Sequence, residues 1–120
     1  MLNLDTHILV ALLEGDLRPA ERACLLANDW VISDIVLWEL AKLIDLGRLQ
    51  LDLQSPEFQT CLRKLEVIPI SLEIARKSCE LDFSSDPANE IIAATSVVRG
   101  IPLLTRDRKI RKSSMVPLAL

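Results

Sequence analysis

Short apolar runs alternate with helix-like segments along almost the whole chain. The runs have the length and apolar content of buried strands, and they are Leu2–Leu4, Trp30–Ile32, Val67–Ile70, Leu103–Thr105 and Val116–Leu120. Strands that alternate with helices form parallel sheets whose two faces are both covered. The alternation therefore predicts an α/β fold, a three-layer α/β/α sandwich around a central parallel sheet.

Helix boundaries are marked by capping residues, prolines and glycines. Serine or aspartate before a helix accepts hydrogen bonds from free backbone N–H groups, and proline suits the first turn. Glycine suits the position after the last turn. These signals predict helices over residues 6–14, 19–27, 35–46, 56 to about 65, 72 to about 81, and 87–98.

The chain of 120 residues has the size of one domain, which we expect to span residues 1–120. Hydrophobic residues make up 50% of it, and the mean hydropathy is +0.29. Such a surplus in a small domain suggests apolar residues that face a partner subunit. The segment 35–46 (IVLWELAKLIDL) is apolar over a wide arc, which fits either a homodimer interface or a helix enclosed within the domain.

No apolar run reaches the roughly 18 residues needed to cross a bilayer, and no leader-like segment opens the chain. We therefore expect a cytoplasmic protein. Cys24, Cys61 and Cys79 are widely spaced and form no CxxC pair, which argues against a zinc site or a disulfide framework. The net charge of −3 neither favours nor excludes a nucleic-acid partner.

Four acidic residues stand where an α/β fold can bring them together: Asp5, Glu39, Asp86 and Asp107. Asp5 and Asp107 follow predicted strands, and residues beyond the carboxyl ends of parallel strands converge on one crevice. Carboxylates gathered without a basic partner need a cation, and their hard oxygens favour Mg²⁺ or Mn²⁺. Each residue alone also fits an ordinary role as a helix cap or a surface charge. Only the set indicates phosphate chemistry.

The densest basic cluster lies beside the last acidic residue and consists of Arg106, Arg108, Lys109, Arg111 and Lys112. A run of this kind is usually a solvated helix face. Next to an acidic pocket it also fits a surface that holds a phosphate backbone. The only histidine, His7, is expected to pack on the first helix rather than to act as a base.

Four blocks of the sequence together resemble the PIN domain, in particular the VapC-type toxins of bacterial toxin–antitoxin pairs. The blocks are LNLDTHIL, ISDIVLWELAKLIDLGRL, DPANEIIAATSVVRGIPLLTRDRKI and the closing apolar segment, and they cover the chain nearly end to end. The resemblance implies a metal-dependent ribonuclease that cleaves RNA phosphodiesters, forms homodimers and is silenced by a cognate antitoxin.

The resemblance also assigns roles to residues. It implies catalytic roles for Asp5, Glu39, Asp86 and Asp107, and an Mg²⁺ or Mn²⁺ ion held by Asp5, Asp86, Asn89 and Asp107. We expect Thr6, Thr105, Arg106 and Arg108 to contact the substrate.

The third block departs from the family pattern at Asn89. Relatives usually read DPADRIIAAT there, whereas this chain reads DPANEIIAAT, so an amide replaces a carboxylate. The amide oxygen is still a metal ligand, but it brings no charge, and Glu90 points about 100° away on a helix. The alternative is therefore a catalytically weakened or inactive PIN domain that acts as an RNA- or protein-binding module.

Overall fold

Four parallel strands form the central sheet in a computed structural model that describes all 120 residues. They are β1 (Leu2–Leu4), β2 (Trp30–Ser33), β3 (Leu65–Ile68) and β4 (Leu103–Leu104). Their order across the sheet is β3-β2-β1-β4, and each neighbouring pair is parallel. The predicted parallel sheet is confirmed.

Seven helices connect and cover the strands. They are α1 (Thr6–Glu14), α2 (Pro19–Leu26), α3 (Ile35–Asp45), α4 (Pro56–Arg63), α5 (Leu72–Ser78), α6 (Pro87–Arg99) and α7 (Arg108–Arg111). The predicted starts are found where side chains cap free N–H groups: Ser55 accepts from the backbone N–H of Phe58, and Ser71 accepts from that of Ile74. None of these helices is both long and apolar enough to span a membrane.

The alternation of side chains along β2 shows that both faces of the sheet are covered. Val31 packs with Ile68, Ile74 and Ala94 in one buried cluster. The next residue, Ile32, belongs to a larger cluster that includes residues of α1 and α3. Because neighbouring strand residues point to opposite faces, the helices lie on both sides of the sheet. The predicted three-layer architecture is confirmed.

The end of the chain does not form the fifth strand predicted for Val116–Leu120. Only a single bridge pairs Leu118 with Leu103, made by Leu103 N–H to Pro117 O (2.8 Å) and Ala119 N–H to Leu103 O (3.0 Å). Pro117 has no N–H to donate, which limits a regular ladder.

Several predicted boundaries shift by a few residues, and one helix was missed. The third strand is Leu65–Ile68 rather than Val67–Ile70, and the helix before it ends at Arg63. The helix that begins at Leu72 ends at Ser78 rather than near residue 81, and α7 was not predicted as a helix.

The carboxyl edge of the sheet places two of the acidic segments side by side. Strands β1 and β4 are parallel neighbours, and the backbone N–H of Asp5 donates to the carbonyl of Leu104 (3.1 Å). Asp5 and Thr105 therefore leave the sheet at the same level. The fold brings together segments that lie 100 residues apart.

Candidate active site

Asp5 is the buried centre of the site. It is only 1% exposed, and both of its carboxylate oxygens accept hydrogen bonds. The hydroxyl of Thr105 donates to Oδ2 at 2.6 Å, and the backbone N–H of Thr6 donates to Oδ1 at 2.8 Å. Because Asp5 also caps α1, its position is fixed from the sheet and from the helix at once.

Two threonines connect the central aspartate to Glu39 and to the backbone of Asp107. The Thr6 hydroxyl donates to Oε1 of Glu39 at 2.5 Å, which links α1 to α3. The Thr105 hydroxyl oxygen in turn accepts the backbone N–H of Asp107 at 3.0 Å. A hydrogen-bonded chain thus runs Glu39–Thr6–Asp5–Thr105–Asp107.

Burial and like charges raise the pKa of two carboxyl groups in this chain. Desolvation is the main cause for Asp5, and the nearby Asp107 adds to it, while the Thr105 hydroxyl, His7 and the Thr6 N–H act in the opposite direction. Desolvation is also the main cause that raises the pKa of Glu39, and the negative charges of Asp5 and Asp86 raise it further. The four predicted acidic residues therefore influence one another electrostatically.

The third acidic segment is tied together by short-range hydrogen bonds at the start of α6. Asp86 caps the helix by accepting the backbone N–H of Asn89 at 3.0 Å. The Asn89 amide Nδ2 donates to the second oxygen of Asp86 at 3.2 Å and to the Ser85 hydroxyl at 3.3 Å. Glu90 folds back to accept the Ser85 N–H at 3.4 Å. Asn89 thus orients Asp86 and offsets part of its charge.

A buried asparagine that the sequence did not single out holds α6 against β1. Asn3 is fully buried, and its Nδ2 donates to the carbonyl of Ile92 at 3.2 Å and to the hydroxyl of Ser96 at 2.9 Å. This contact fixes the helix that carries Asp86 relative to the strand that carries Asp5. A polar residue inside a three-residue apolar strand was the only signal for it.

The donor set fits a hard divalent cation. Oxygen ligands dominate, and the raised pKa values of Asp5 and Glu39 mark carboxylates that a cation would stabilise in their charged form. In this arrangement no three His, Cys, Asp or Glu side chains lie close enough to hold one ion. Mg²⁺ is commonly bound by one or two carboxylates and several waters, so the residues present still suit it.

The residues predicted to contact substrate divide into two groups. Thr6 and Thr105 are buried. Thr6 bridges the carboxylates of Asp5 and Glu39, and Thr105 links the carboxylate of Asp5 to the backbone N–H of Asp107. Arg106 is engaged by Glu21, to which its Nε and Nη2 donate at 2.8 and 2.6 Å. This ion pair lowers the pKa of Glu21 to about 2. No pattern in the sequence pointed to Glu21, which lies 85 positions away on α2.

Two cavities flank the Thr105–Asp107 segment. One, of about 320 Å³, is lined by His7, Val10, Ala11, Glu14, Asp16, Arg106 and Asp107. His7 is exposed there rather than packed. The second, of about 400 Å³, is lined by Arg18, Ala20, Glu21, Leu104, Thr105, Arg106, Arg108, Arg111 and Leu120. Arg108 thus lies beside the site, in the second cavity.

Several solved structures share the fold of this chain. A toxin–antitoxin complex from Klebsiella pneumoniae aligns with a TM-score of 0.73 at 23% identity, covering 100% of this chain and 98% of that one. VapBC2 from Rickettsia felis, bound to a DNA fragment from their promoter, gives 0.71 at 21% identity with coverage of 98% and 97%. FitAcB from Neisseria gonorrhoeae gives 0.69 at 18% identity with coverage of 98% and 96%.

No curated protein sequence matches the chain. The sequence profile of the PIN domain, in contrast, matches residues 3–114, which include every acidic residue of the site. The chain belongs to the PIN domain family.

Proposed function

We propose that this protein is a metal-dependent endoribonuclease, the toxin of a type II toxin–antitoxin pair, and that it cleaves RNA phosphodiesters. The observation that carries the proposal is the hydrogen-bonded chain from Glu39 to Asp107 through Asp5 at the carboxyl edge of the sheet. Membership of the PIN family supports it.

Asp5, Asp86 and Asp107, with the amide oxygen of Asn89, would hold Mg²⁺ or Mn²⁺, with one or two of the carboxylates bound directly and the others through bound waters, because no three of them lie close enough to share one ion. The bound metal would supply a water of lowered pKa and stabilise the charge on the leaving oxygen. The protein's own contribution is to keep the carboxylates in place. Thr105 donates to the buried carboxylate of Asp5 and Thr6 to the half-buried carboxylate of Glu39, and hydrogen bonds to a charged carboxylate are short and strong.

The partner proposed for this chain is a cognate antitoxin protein. The aligned structure from Klebsiella pneumoniae is described as a toxin–antitoxin complex, and the alignment covers 100% of this chain and 98% of that one. We also propose a homodimer, because large apolar side chains remain on the surface of the single chain, among them Trp38 on α3 (54% exposed) and Leu46 directly after it (60%).

One observation favours a second candidate, a weakened or inactive PIN domain that binds RNA or protein without cleaving. Asn89 replaces a carboxylate, and its amide group donates to Asp86. The site therefore attracts a divalent cation less strongly than four carboxylates would.

A cleavage assay separates the two candidates. Purified protein is incubated with structured RNA in Mn²⁺, in Mg²⁺ and in EDTA, beside the variants Asp5→Asn and Asp45→Asn. Asp45 is exposed at the end of α3 and serves as a charge-matched control. We expect metal-dependent cleavage by the wild type and by Asp45→Asn, and none by Asp5→Asn. Equal cleavage by all three proteins would show that the cleavage does not depend on Asp5. That result, like the absence of cleavage by any of them, would favour the inactive module.

A further inference from the structure

The second cavity beside the site is lined mainly by positively charged side chains, although the chain as a whole is acidic. Four arginines and one glutamate line it, so it holds three uncompensated positive charges on a chain of net charge −3. The basic cluster at 106–112 does not act as a single surface. Arg106 is paired with Glu21, and Lys109 donates to the carbonyl of Ser84 at 3.2 Å.

The remaining arginines are free to bind a ligand. Arg18, Arg108 and Arg111 are exposed, and none of their guanidinium groups has a carboxylate oxygen within 4.0 Å. The backbone N–H of Arg18, in contrast, donates to Oε1 of Glu21 at 2.9 Å. Arg111 makes one long contact, from Nη1 to the carbonyl of Thr105 at 3.4 Å. Arg18 immediately precedes α2, and Arg108 and Arg111 lie on α7. Arginines from two separate elements therefore line the second cavity.

We propose that this cavity binds a non-scissile phosphate of the RNA strand, held by Arg18, Arg108 and Arg111. The inference rests on the proposed nuclease function and names a substrate contact of the same site. Guanidinium groups bind phosphate oxygens through paired N–H donors. A cavity of about 400 Å³ is within the usual size of ligand sites.

The position of the cavity explains why such a contact is needed. Thr105 lines it while the hydroxyl of the same residue donates to Asp5, so the cavity and the acidic site adjoin across one residue. A cluster of carboxylates repels an approaching polyanion, and a nearby positive cavity offsets this repulsion. The phosphate held there positions the strand without reading its bases.

Equilibrium binding without metal tests the proposal independently of cleavage. A fluorescently labelled single-stranded RNA of mixed sequence is titrated in EDTA with the wild type, Arg108→Gln, Arg111→Gln and the double variant. Arg76→Gln is the control, because it removes an exposed arginine from α5, away from this cavity. Thermal melts confirm that all of the proteins are folded.

For single strands, each phosphate contact contributes roughly −0.7 to the slope of log K against log salt concentration. The loss of one contact is therefore expected to weaken RNA binding about fivefold at about 0.1 M salt. The slope should fall stepwise in the single and double variants and stay unchanged in Arg76→Gln. Binding of the double variant as tight as that of Arg76→Gln would overturn the inference, as would a wild type that binds no RNA. A wild type that binds with this pattern but never cleaves would leave the phosphate site standing and refute the nuclease function.

Discussion

The hydroxyl of Thr105 donates to Oδ2 of Asp5 at 2.6 Å across 100 positions of sequence. This hydrogen bond lowers the pKa of Asp5 and so counteracts part of the increase that burial causes. In Thr105→Val the donor is lost, so the pKa of Asp5 should rise further and any ribonuclease activity should fall about 10- to 100-fold, as for other residues that orient metal ligands. Thr105→Ser keeps the hydroxyl and should retain most of the activity. Equal activity of the Val and Ser variants would show that the bond does not matter for cleavage.

The buried carboxylates should make the metal-free protein less stable as the pH rises. Their folded pKa values lie above the usual 3.8 for Asp5 and 4.5 for Glu39, so the folded state holds their protons more tightly than the unfolded state. Their contribution is full below these values and is lost as the pH rises through the folded pKa. Asp5→Asn should therefore raise the metal-free melting temperature at pH 7 and flatten this decline, as followed by circular dichroism.

Metal addition provides the converse measurement. Mn²⁺ should raise the melting temperature of the wild type at pH 7 because it binds only the folded protein, and Asp5→Asn should show little or no rise. The same rise in both proteins would place the metal away from Asp5.

Asn89→Asp should increase the affinity of the site for a divalent metal and lower the stability of the metal-free protein. The substitution removes the Asn89 amide that donates to Asp86 and places two carboxylates together, which repel by roughly 3 kcal/mol at about 5 Å and an effective dielectric near 20. We expect tighter Mg²⁺ or Mn²⁺ binding by calorimetry, higher ribonuclease activity and a lower metal-free melting temperature. Gln50→Glu, an exposed change of the same charge, should do none of these. Unchanged metal affinity would mean that Asp86 or Glu90 already supplies the needed charge.

The Glu21–Arg106 pair should contribute far more stability than the exposed Lys77–Glu80 pair. Glu21 is only 4% exposed, so Arg106→Met leaves a buried carboxylate without its partner and should cost about 2–3 kcal/mol of unfolding free energy. Lys77→Met should cost no more than about 0.5 kcal/mol. The double variant Glu21→Met/Arg106→Met should recover part of the loss in urea denaturation, because no unpaired charge remains.

The Glu21–Arg106 pair should also make the stability of the fold depend on pH in the acid range. The pKa of Glu21 is lowered from 4.5 to about 2, so its contribution is present above pH 4.5 and is lost as the pH falls towards 2. Glu21→Gln should flatten the acid side of the stability curve. An unchanged acid limb would show that other carboxylates determine acid unfolding.

A homodimer through α3 should be visible by sedimentation at micromolar concentration. Trp38 and Leu46 are 54% and 60% exposed, and burying them would remove apolar surface from water. Trp38→Glu and Leu46→Glu should therefore sediment as monomers. Leu26→Glu, which changes an 81% exposed leucine on α2, should remain dimeric. A monomeric wild type without antitoxin would contradict the prediction.

The local signals in the sequence predicted most of the fold because they act over a few residues. Ser55 and Ser71 cap the helices that they precede, and the alternation of Val31 and Ile32 between two apolar clusters follows from strand geometry. The prediction of a strand at the chain end was wrong: the segment makes a single bridge, and Pro117 lacks the backbone N–H that would extend the ladder towards Val116.

The long-range contacts of the site were not predictable from the sequence. Asp5 and Asp107 were predicted as site residues because each follows a strand. The bond from Thr105 to Asp5, however, depends on how β1 and β4 pair, and the bond from Thr6 to Glu39 depends on how α1 lies against α3. The partner of Arg106 lies on α2, and no spacing rule connects it to Glu21. The sequence could place acids at one edge of the sheet, yet only the fold decides which neighbouring side chains orient them.

Three of the four acidic residues also begin helices: Asp5, Asp86 and Asp107 accept N–H groups from α1, α6 and α7 respectively. Asparagine caps a helix about as well as aspartate does. Each of these positions can therefore exchange an oxygen for an amide nitrogen with little loss of stability, although the negative charge disappears. The proposed metal chemistry and the stability of the fold therefore depend on different properties of the same three residues, so substitutions at these positions can remove the charge that a metal needs and leave the fold intact.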